Sequence, residues 1–240
     1  METVTLNVTA CNIEIVNNIV KVYNGDVSTT DDAIKVDRVQ PEKVKNGVYI
    51  GGRLLPASDA LVNHYGRTTD EGYIHNGVFH FWTDVPNHGN QSHVMDLGDL
   101  KIAAINVSRH CKVKVSDGCT SLANNLSVSA TGLCTILLGK QSMLNKLDVY
   151  ASHGTVTGEV LSVCDLNVEA YVCAKVSIAC IAKNVNCNVT VNAKLKSVCA
   201  KKKLHASCGL GGVIKMRTTK NTVVQTDNWH GRIILSQDQD

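Results

Sequence analysis

Apolar and polar residues alternate in short blocks along the second half of the chain. The clearest blocks follow the order apolar, polar, apolar, polar, small, and they begin at Leu126, Leu147, Leu166, Val189 and Leu204. Strict alternation predicts strands with one buried face. The blocks recur at intervals of about 20 positions, with the last interval shorter, and a repeat of that length holding two or three short strands is typical of a parallel β-solenoid. The pattern therefore predicts that Leu126, Leu147 and Leu166 are neighbours in adjacent coils.

A β-sandwich also produces strands of period two, and it remains the alternative. It predicts frequent hairpin turns between its short strands, whereas turn pairs of the hairpin type are scarce after Gly118. The solenoid is favoured because each coil can bury its inward side chains only against the next coil.

The fold class predicted is all-β, with the parallel β-solenoid in the C-terminal half. An insertion or cap should contain a short helix near Ser58–His64 and a hairpin across Tyr73–Trp82 that turns at Asn76–Gly77. Trp229 and His230 are candidates to cap the last coil. The predicted divisions are 1–52 (strands leading into the solenoid), 53–99 (insertion or cap), 100–217 (coils) and 218–240 (C-terminal cap and tail).

Composition indicates how the core is built. Of the 240 residues, 44% are hydrophobic but only 4% are aromatic, and ten are cysteine. A narrow interior of aliphatic side chains and thiols is therefore expected, with the cysteines acting as small buried hydrophobes. The residues from Met1 to Val8 lack the pattern of a signal peptide. We thus expect cytoplasmic synthesis with reduced thiols, and a disulfide framework is the alternative.

Charge and motif content limit the partners and cofactors. The net charge is +3, which is too weak to predict nucleic-acid binding. No apolar run is long enough to span a bilayer, so no membrane insertion is expected. The glycine cluster of 209–212 lacks the remainder of a phosphate-binding motif, and no cofactor is expected.

Two clusters are candidate sites. A run of lysines could contact an acidic partner, although a solvated outer face is the simpler interpretation; its members are Lys194, Lys196, Lys201, Lys202 and Lys203. A weaker alternative is a metal site formed by the histidines of the aromatic-rich segment, namely His75, His80, His88 and His93. On one continuous strand, however, His75 and His80 would project to opposite faces.

Catalysis has little support in the coils. Carbohydrate-cleaving β-helices use carboxylates gathered on one face. The outward acids here are few and are expected to be isolated, at positions Asp148, Glu159, Asp165 and Glu169. The sequence therefore predicts a protein that is not an enzyme.

The repeat units resemble those of a known family. The opening segment Leu6–Ile15, Leu147–Val156 and Leu166–Ala170 are similar to the GIN domain, which forms adhesin heads of the autotransporter type in bacterial cell-envelope proteins. That family has no catalytic residues to carry over, so the resemblance implies binding or architecture. The family's Gly-Ser-Gly-Asp corners are mostly absent here and cysteine is more abundant, which suits a protein made in a reducing compartment.

These observations lead to two functional hypotheses. The first is a structural or interaction protein, in which a rigid solenoid presents a face for protein partners or for self-assembly, including as a component of a large particle such as a virion. The second is a carbohydrate-binding or carbohydrate-active β-helix protein, such as an adhesin, a lectin or a lyase.

Overall fold

The computed structural model describes the backbone of residues 3–9, 12–23, 34–38, 47–50, 53–56, 72–75, 78–81 and 93–238, and the side chains of 3–8, 12–20 and 97–238. Its C-terminal half is a parallel β-solenoid of about 7 turns. The predicted fold class is therefore confirmed. Within the described residues, no helix has the length and apolar character needed to cross a membrane.

Nineteen strands are present in the described residues. The N-terminal strands are β1 (Thr3–Thr9), β2 (Asn12–Val16), β3 (Ile19–Tyr23), β4 (Ile34–Arg38), β5 (Gly47–Ile50), β6 (Arg53–Pro56), β7 (Gly72–His75), β8 (Val78–Phe81) and β9 (His93–Asp96). The coils contain β10 (Lys101–Ser108), β11 (Lys112–Val115), β12 (Leu122–Thr131), β13 (Thr135–Ser152), β14 (Thr155–Tyr171), β15 (Lys175–Val189), β16 (Lys194–Gly209), β17 (Val213–Thr218), β18 (Val223–Trp229) and β19 (Arg232–Gln237).

Each complete coil has three sides, because the long strands β13–β16 carry three successive ladder segments separated by register shifts or by unpaired positions. Side A consists of β1, β10, β12, the last residues of β13–β16, and β18. Side B consists of β2, β11, the first residues of β13–β16, and the starts of β17 and β19. Side C lies between them, and in β14 it covers about 159–163.

The predicted stacking of leucines is confirmed. Leu126 pairs with Leu147, and Leu147 pairs with Leu166. The next member of this column is Val185, so the prediction that Val189 begins the following unit is wrong. Val189 lies further along the same strand, beside Ala170. With Val185 in place, the interval from Leu166 to Leu204 divides into two equal steps.

The interior is narrow and formed mainly by aliphatic residues and thiols, as the composition predicted. Cys111, Cys180, Cys187 and Cys208 are between 1% and 5% exposed. The nine cysteines in the described ranges are free thiols. Burial raises the pKa of Cys180 and Cys187 to about 12, so these thiols are protonated at neutral pH and behave as small apolar groups.

The turn from side A to side B uses left-handed backbone in every coil where the structure describes that turn. Most of the residues with positive φ at this turn are not glycine, and they include Val172 at 44° and Val191 at 53°. A β-branched residue is strained in this region, because its Cβ approaches the following carbonyl oxygen. Small residues follow the turn, where successive coils stack through backbone hydrogen bonds from Thr135 to Cys111, from Lys175 to Gly154 and from Lys194 to Ala174.

The N-terminal strands form the first coil and an antiparallel region. β1 and β2 pair in parallel with β10 and β11, which are distant in the chain. Antiparallel pairs then connect β2 with β3, β3 with β9, β1 with β4, and β4 with β8. The predicted hairpin is confirmed by the pairing of β7 with β8. The predicted helix near Ser58–His64 lies outside the described residues.

Candidate functional site

One outer surface of the solenoid carries cations on four successive coils. On side B, Lys175 pairs with Lys194 in the next coil, and Lys196 pairs with Lys215 in the coil after that. Arg232 follows in the last coil, in the same column as Lys194. We call these five residues the basic side. All five side chains are exposed, and adjacent coils are about 4.8 Å apart.

No carboxylate neutralises the basic side within the described residues. The ion pairs formed by the described residues all use cations outside the basic side, namely Lys114, Lys140, Lys146, His205 and Arg217. The neighbours in the two outward columns are uncharged: Thr155, Thr157, Ser177, Val213 and Ile234. Like charges on directly opposed strand positions repel, so an anionic partner would relieve an unfavourable interaction here as well as make new contacts.

The structure separates the lysines that the sequence grouped together. Lys194 and Lys196 belong to the basic side, whereas Lys201, Lys202 and Lys203 lie at the bend between side C and side A. Lys203 pairs with Asn184 and Val223 in the outward column of side A. The backbone carbonyl of Lys201 accepts a hydrogen bond from Thr219 Oγ1 at 3.1 Å. We call these three residues the corner lysines.

Sequence analysis missed three members of the basic side: Lys175, Lys215 and Arg232. The signal that could have identified them is the coil period. Lys175 and Lys194 are one coil period apart, as are Lys196 and Lys215, and Arg232 lies two periods after Lys194. Residues separated by one coil period are neighbours in space, so a search for cations at this spacing would have found the group.

A small groove adjoins the basic side at the turn. It has a volume of about 300 Å³ and is lined by Leu133, His153, Thr155, Cys173 and Lys175. Lys175 belongs to both the groove and the basic side. Leu133 is 65% exposed, so the groove offers an apolar contact next to a cation.

Side A carries a different surface, which is polar and aromatic. The rings of Tyr150 and Tyr171 lie with their centroids 5.9 Å apart. Tyr171 Oη donates to Glu169 Oε2 at 3.3 Å and accepts from Asn188 Nδ2 at 3.2 Å. Burial, and after it the charge of Glu169, raises the pKa of Tyr171. Asn188 Oδ1 is buried and has no hydrogen-bond partner in the described residues.

Three of the four outward acids share side A, but the ladders pair none of them directly with another acid. Asp148, Asp165 and Glu169 lie on side A in two adjacent coils, whereas Glu159 is paired with Lys140 elsewhere. Their neighbours already engage the two aspartates: Asn167 Nδ2 donates to Asp148 Oδ1 at 2.7 Å, and Asn184 Nδ2 donates to Asp165 Oδ1 at 2.8 Å. These contacts connect successive coils along the axis.

The last coil leaves its strands open. β18 pairs only with β16, and β19 only with β17, among the described residues. Val224 and Leu235, which stack on Leu204 and Met216, are 43% and 36% exposed. Trp229 is 64% exposed and its ring contacts that of His230 edge-on.

The predicted histidine cluster falls largely outside the described side chains. His75 ends β7, His80 lies in β8 and His93 begins β9, whereas His88 is not among the described residues. His75 and His80 are on different strands of one hairpin, so the argument from their spacing on a single strand does not apply. Among the described side chains, no group of three or more His, Cys, Asp or Glu could hold a metal ion; the histidine site itself stays a prediction.

Comparisons with known proteins identify no relative. No family model, no curated protein and no solved structure matches the chain. The resemblance to the GIN domain stays a prediction from the repeat pattern.

Proposed function

We propose that this is a non-enzymatic interaction protein in which a rigid β-solenoid presents its basic side to an acidic protein partner. The observation that carries the proposal is the stack of five exposed cations on four successive coils, with no compensating carboxylate among the described residues. Hydrogen-bonded ladders hold these positions in fixed register, so the charges form a preorganised array.

An acidic polypeptide fits this surface better than a nucleic acid does. The outward positions of side B from Lys175 to Ile234 include no aromatic side chain for base stacking and only one arginine. Two lysines on one strand, such as Lys194 and Lys196, are about 6.6–6.8 Å apart. Alternate carboxylates of an extended acidic segment have the same spacing. The nine free thiols are compatible with synthesis in a reducing compartment, and so with a component of a large assembled particle.

Charge reversal at matched positions tests the proposal. The probe is fluorescent poly-L-glutamate, and binding is measured by anisotropy at low and at physiological salt. The test variant is Lys194→Glu/Lys196→Glu/Lys215→Glu, and the control is Lys201→Glu/Lys202→Glu/Lys203→Glu at the corner lysines. Both variants change the net charge by the same amount.

We expect the test variant to lose at least about tenfold in affinity and the control less than about threefold. The test substitutions lie at the proposed binding surface, whereas the corner lysines are remote from it, and charges interact more strongly when they are close. Equal losses in the two variants would show that only net charge matters, and that result would refute a specific basic side. Circular dichroism checks that both variants fold.

A second candidate function, glycan binding, is favoured by the surface around Tyr150 and Tyr171. Aromatic rings flanked by amide and carboxylate groups suit the apolar faces and hydroxyls of sugars. A glycan array with the wild-type protein and with Tyr150→Ala, a residue that is 39% exposed, separates the two functions. Binding that requires Tyr150 and persists in the Lys194→Glu/Lys196→Glu/Lys215→Glu variant would favour the glycan hypothesis.

A further inference from the structure

The two ends of the solenoid differ in their backbone pairing. In the first coil, β1 lies between β10 and β4, and β2 lies between β11 and β3, so both strands are paired on both edges. In the last coil, β18 and β19 are each paired on one edge only among the described residues. We call the free edges of β18 and β19 the open end. The open end presents amide and carbonyl groups that can pair with another strand.

The open end also exposes apolar side chains. Val223 and Trp229, at the two ends of β18, are 68% and 64% exposed. Val224 is 43% exposed, whereas Leu204, its partner one coil earlier, is 1% exposed. Proteins commonly protect such edges with proline, lysine or a bulge, but residues 223–237 contain neither proline nor lysine. Each inner coil is stabilised by stacking on the next coil. The open end lacks this contact.

The fold restricts how a second copy of the chain can pair with the free strand edges of the open end. A head-to-tail stack would place the open end on the first coil of another molecule, but β3 and β4 already occupy the edges of that coil. Two copies can therefore pair their free edges only by bringing their two open ends together. Such a contact is related by a two-fold axis, and the strand that this axis crosses meets its own copy in antiparallel orientation.

The sequence of β18 is compatible with its own antiparallel copy. When the axis passes through Thr226, Val223 lies opposite Trp229 of the second copy, and Gln225 lies opposite Asp227. Opposed residues in an antiparallel pair project on the same face, and this register keeps inward positions opposite inward positions. The two exposed apolar side chains thus cover each other, and no like charges meet.

We propose that two copies of this chain associate through their open ends by antiparallel pairing of β18 with β18 about Thr226. The dimer closes the apolar interior of both solenoids and satisfies the free edge of β18. The two-fold arrangement also ends growth at two copies, because the outer ends of the dimer are the paired first coils. This interface shares Arg232, the first residue of β19, with the basic side but includes none of its four lysines.

Sedimentation equilibrium of the full chain, from low to high micromolar concentration, tests the proposal with two substitutions at one exposed position. Gln225→Glu places a carboxylate opposite Asp227 of the second copy, and Gln225→Lys places an ammonium group there. Because the dimer has two-fold symmetry, each of these contacts occurs twice in the interface. We therefore expect the dimer dissociation constant to rise about tenfold with glutamate and to fall with lysine, and added salt to reduce both effects.

Three results would overturn the proposal: a monomer at every concentration, a dimer indifferent to both substitutions, or a shift in the same direction for both. Hydrogen exchange gives a second measurement, because the amides of 223–229 that point away from β16 should gain protection as concentration rises. The Lys194→Glu/Lys196→Glu/Lys215→Glu variant should dimerise normally. Failure of the basic-side proposal and failure of the dimer are thus distinguishable.

Discussion

Replacing one inward leucine tests the stacked-coil core most directly. Leu166 is 1% exposed and lies between Leu147, which is fully buried, and Val185, which is 3% exposed. Leu166→Ala removes three buried carbons, which corresponds to about 2.4 kcal/mol at about 0.8 kcal/mol per methylene. The neighbouring coils are held by their ladders and cannot collapse fully into the space. The cavity adds to the loss, so we expect the free energy of unfolding to fall by about 3–4 kcal/mol.

Leu161 provides a matched control on the same strand. It is 64% exposed, so Leu161→Ala should cost less than about 1 kcal/mol. Urea denaturation followed by far-ultraviolet circular dichroism gives both values from the midpoint and the slope. Equal losses for the two variants would refute the assignment of inward and outward positions in this coil. A lower slope for Leu166→Ala alone would indicate that coils on either side of the cavity unfold separately.

Three further changes test particular features of the coils. A Cβ added at Gly158 would lie 2.6 Å from the Cβ and the carbonyl oxygen of Leu138, so Gly158→Ala should destabilise by about 1–3 kcal/mol in thermal or urea unfolding; an unchanged midpoint would contradict this packing. Val172→Asn should raise stability by about 1 kcal/mol, because asparagine adopts the left-handed conformation at φ 44° at lower cost; a decrease would show that the turn is not strained. The folded pKa of Cys180 and Cys187, about 12, lies above the ordinary thiol value of 9.0, so their contribution to stability is complete below pH 9 and declines as pH rises toward 12, by up to about 1.4 kcal/mol per pH unit for each thiol. The alkaline slope of the unfolding free energy should be smaller in the Cys180→Ala/Cys187→Ala variant, and an identical slope would exclude the thiols as its source.

The candidate surfaces show where prediction from sequence succeeded and where it stopped. The lysine run drew attention to Lys194 and Lys196, which lie on the basic side. The same run also included the corner lysines, which are close in sequence but lie beyond a bend. Adjacency along the chain was a poor guide, because the chain bends twice within a single long strand such as β15. Separation along the chain was an equally poor guide, since Asp148 and Glu169 are distant in sequence but lie on neighbouring strands.

The repeat pattern failed at one coil for a physical reason. Ala182 pairs with Ala200, and Asn184 pairs with Lys203. Only Lys183 lies between the two pairs in β15, whereas both Lys201 and Lys202 lie between them in β16, so the bend is longer in β16. Bends can absorb such differences because their side chains project into solvent, whereas ladder positions cannot. The opposite difference between Ser177 and Cys180 cancels this one, so the coil period is unchanged. Val189 was taken in place of Val185 because 189–193 repeats the order apolar, polar, apolar, polar, small, although it runs past the end of β15 into the turn.

The sequence by itself determined that the chain forms stacked β-coils with a thin aliphatic and thiol interior, because alternation of apolar and polar residues and a coil-length repeat are local properties of strands that share one buried face. The tertiary structure alone decided the register of the coils, the docking of β1 on the distant β10, and which cations share a side. Those outcomes depend on pairing between segments that are distant in the chain. The residues at the bends are free of packing constraints, so their sequence carries no pattern from which that pairing can be inferred.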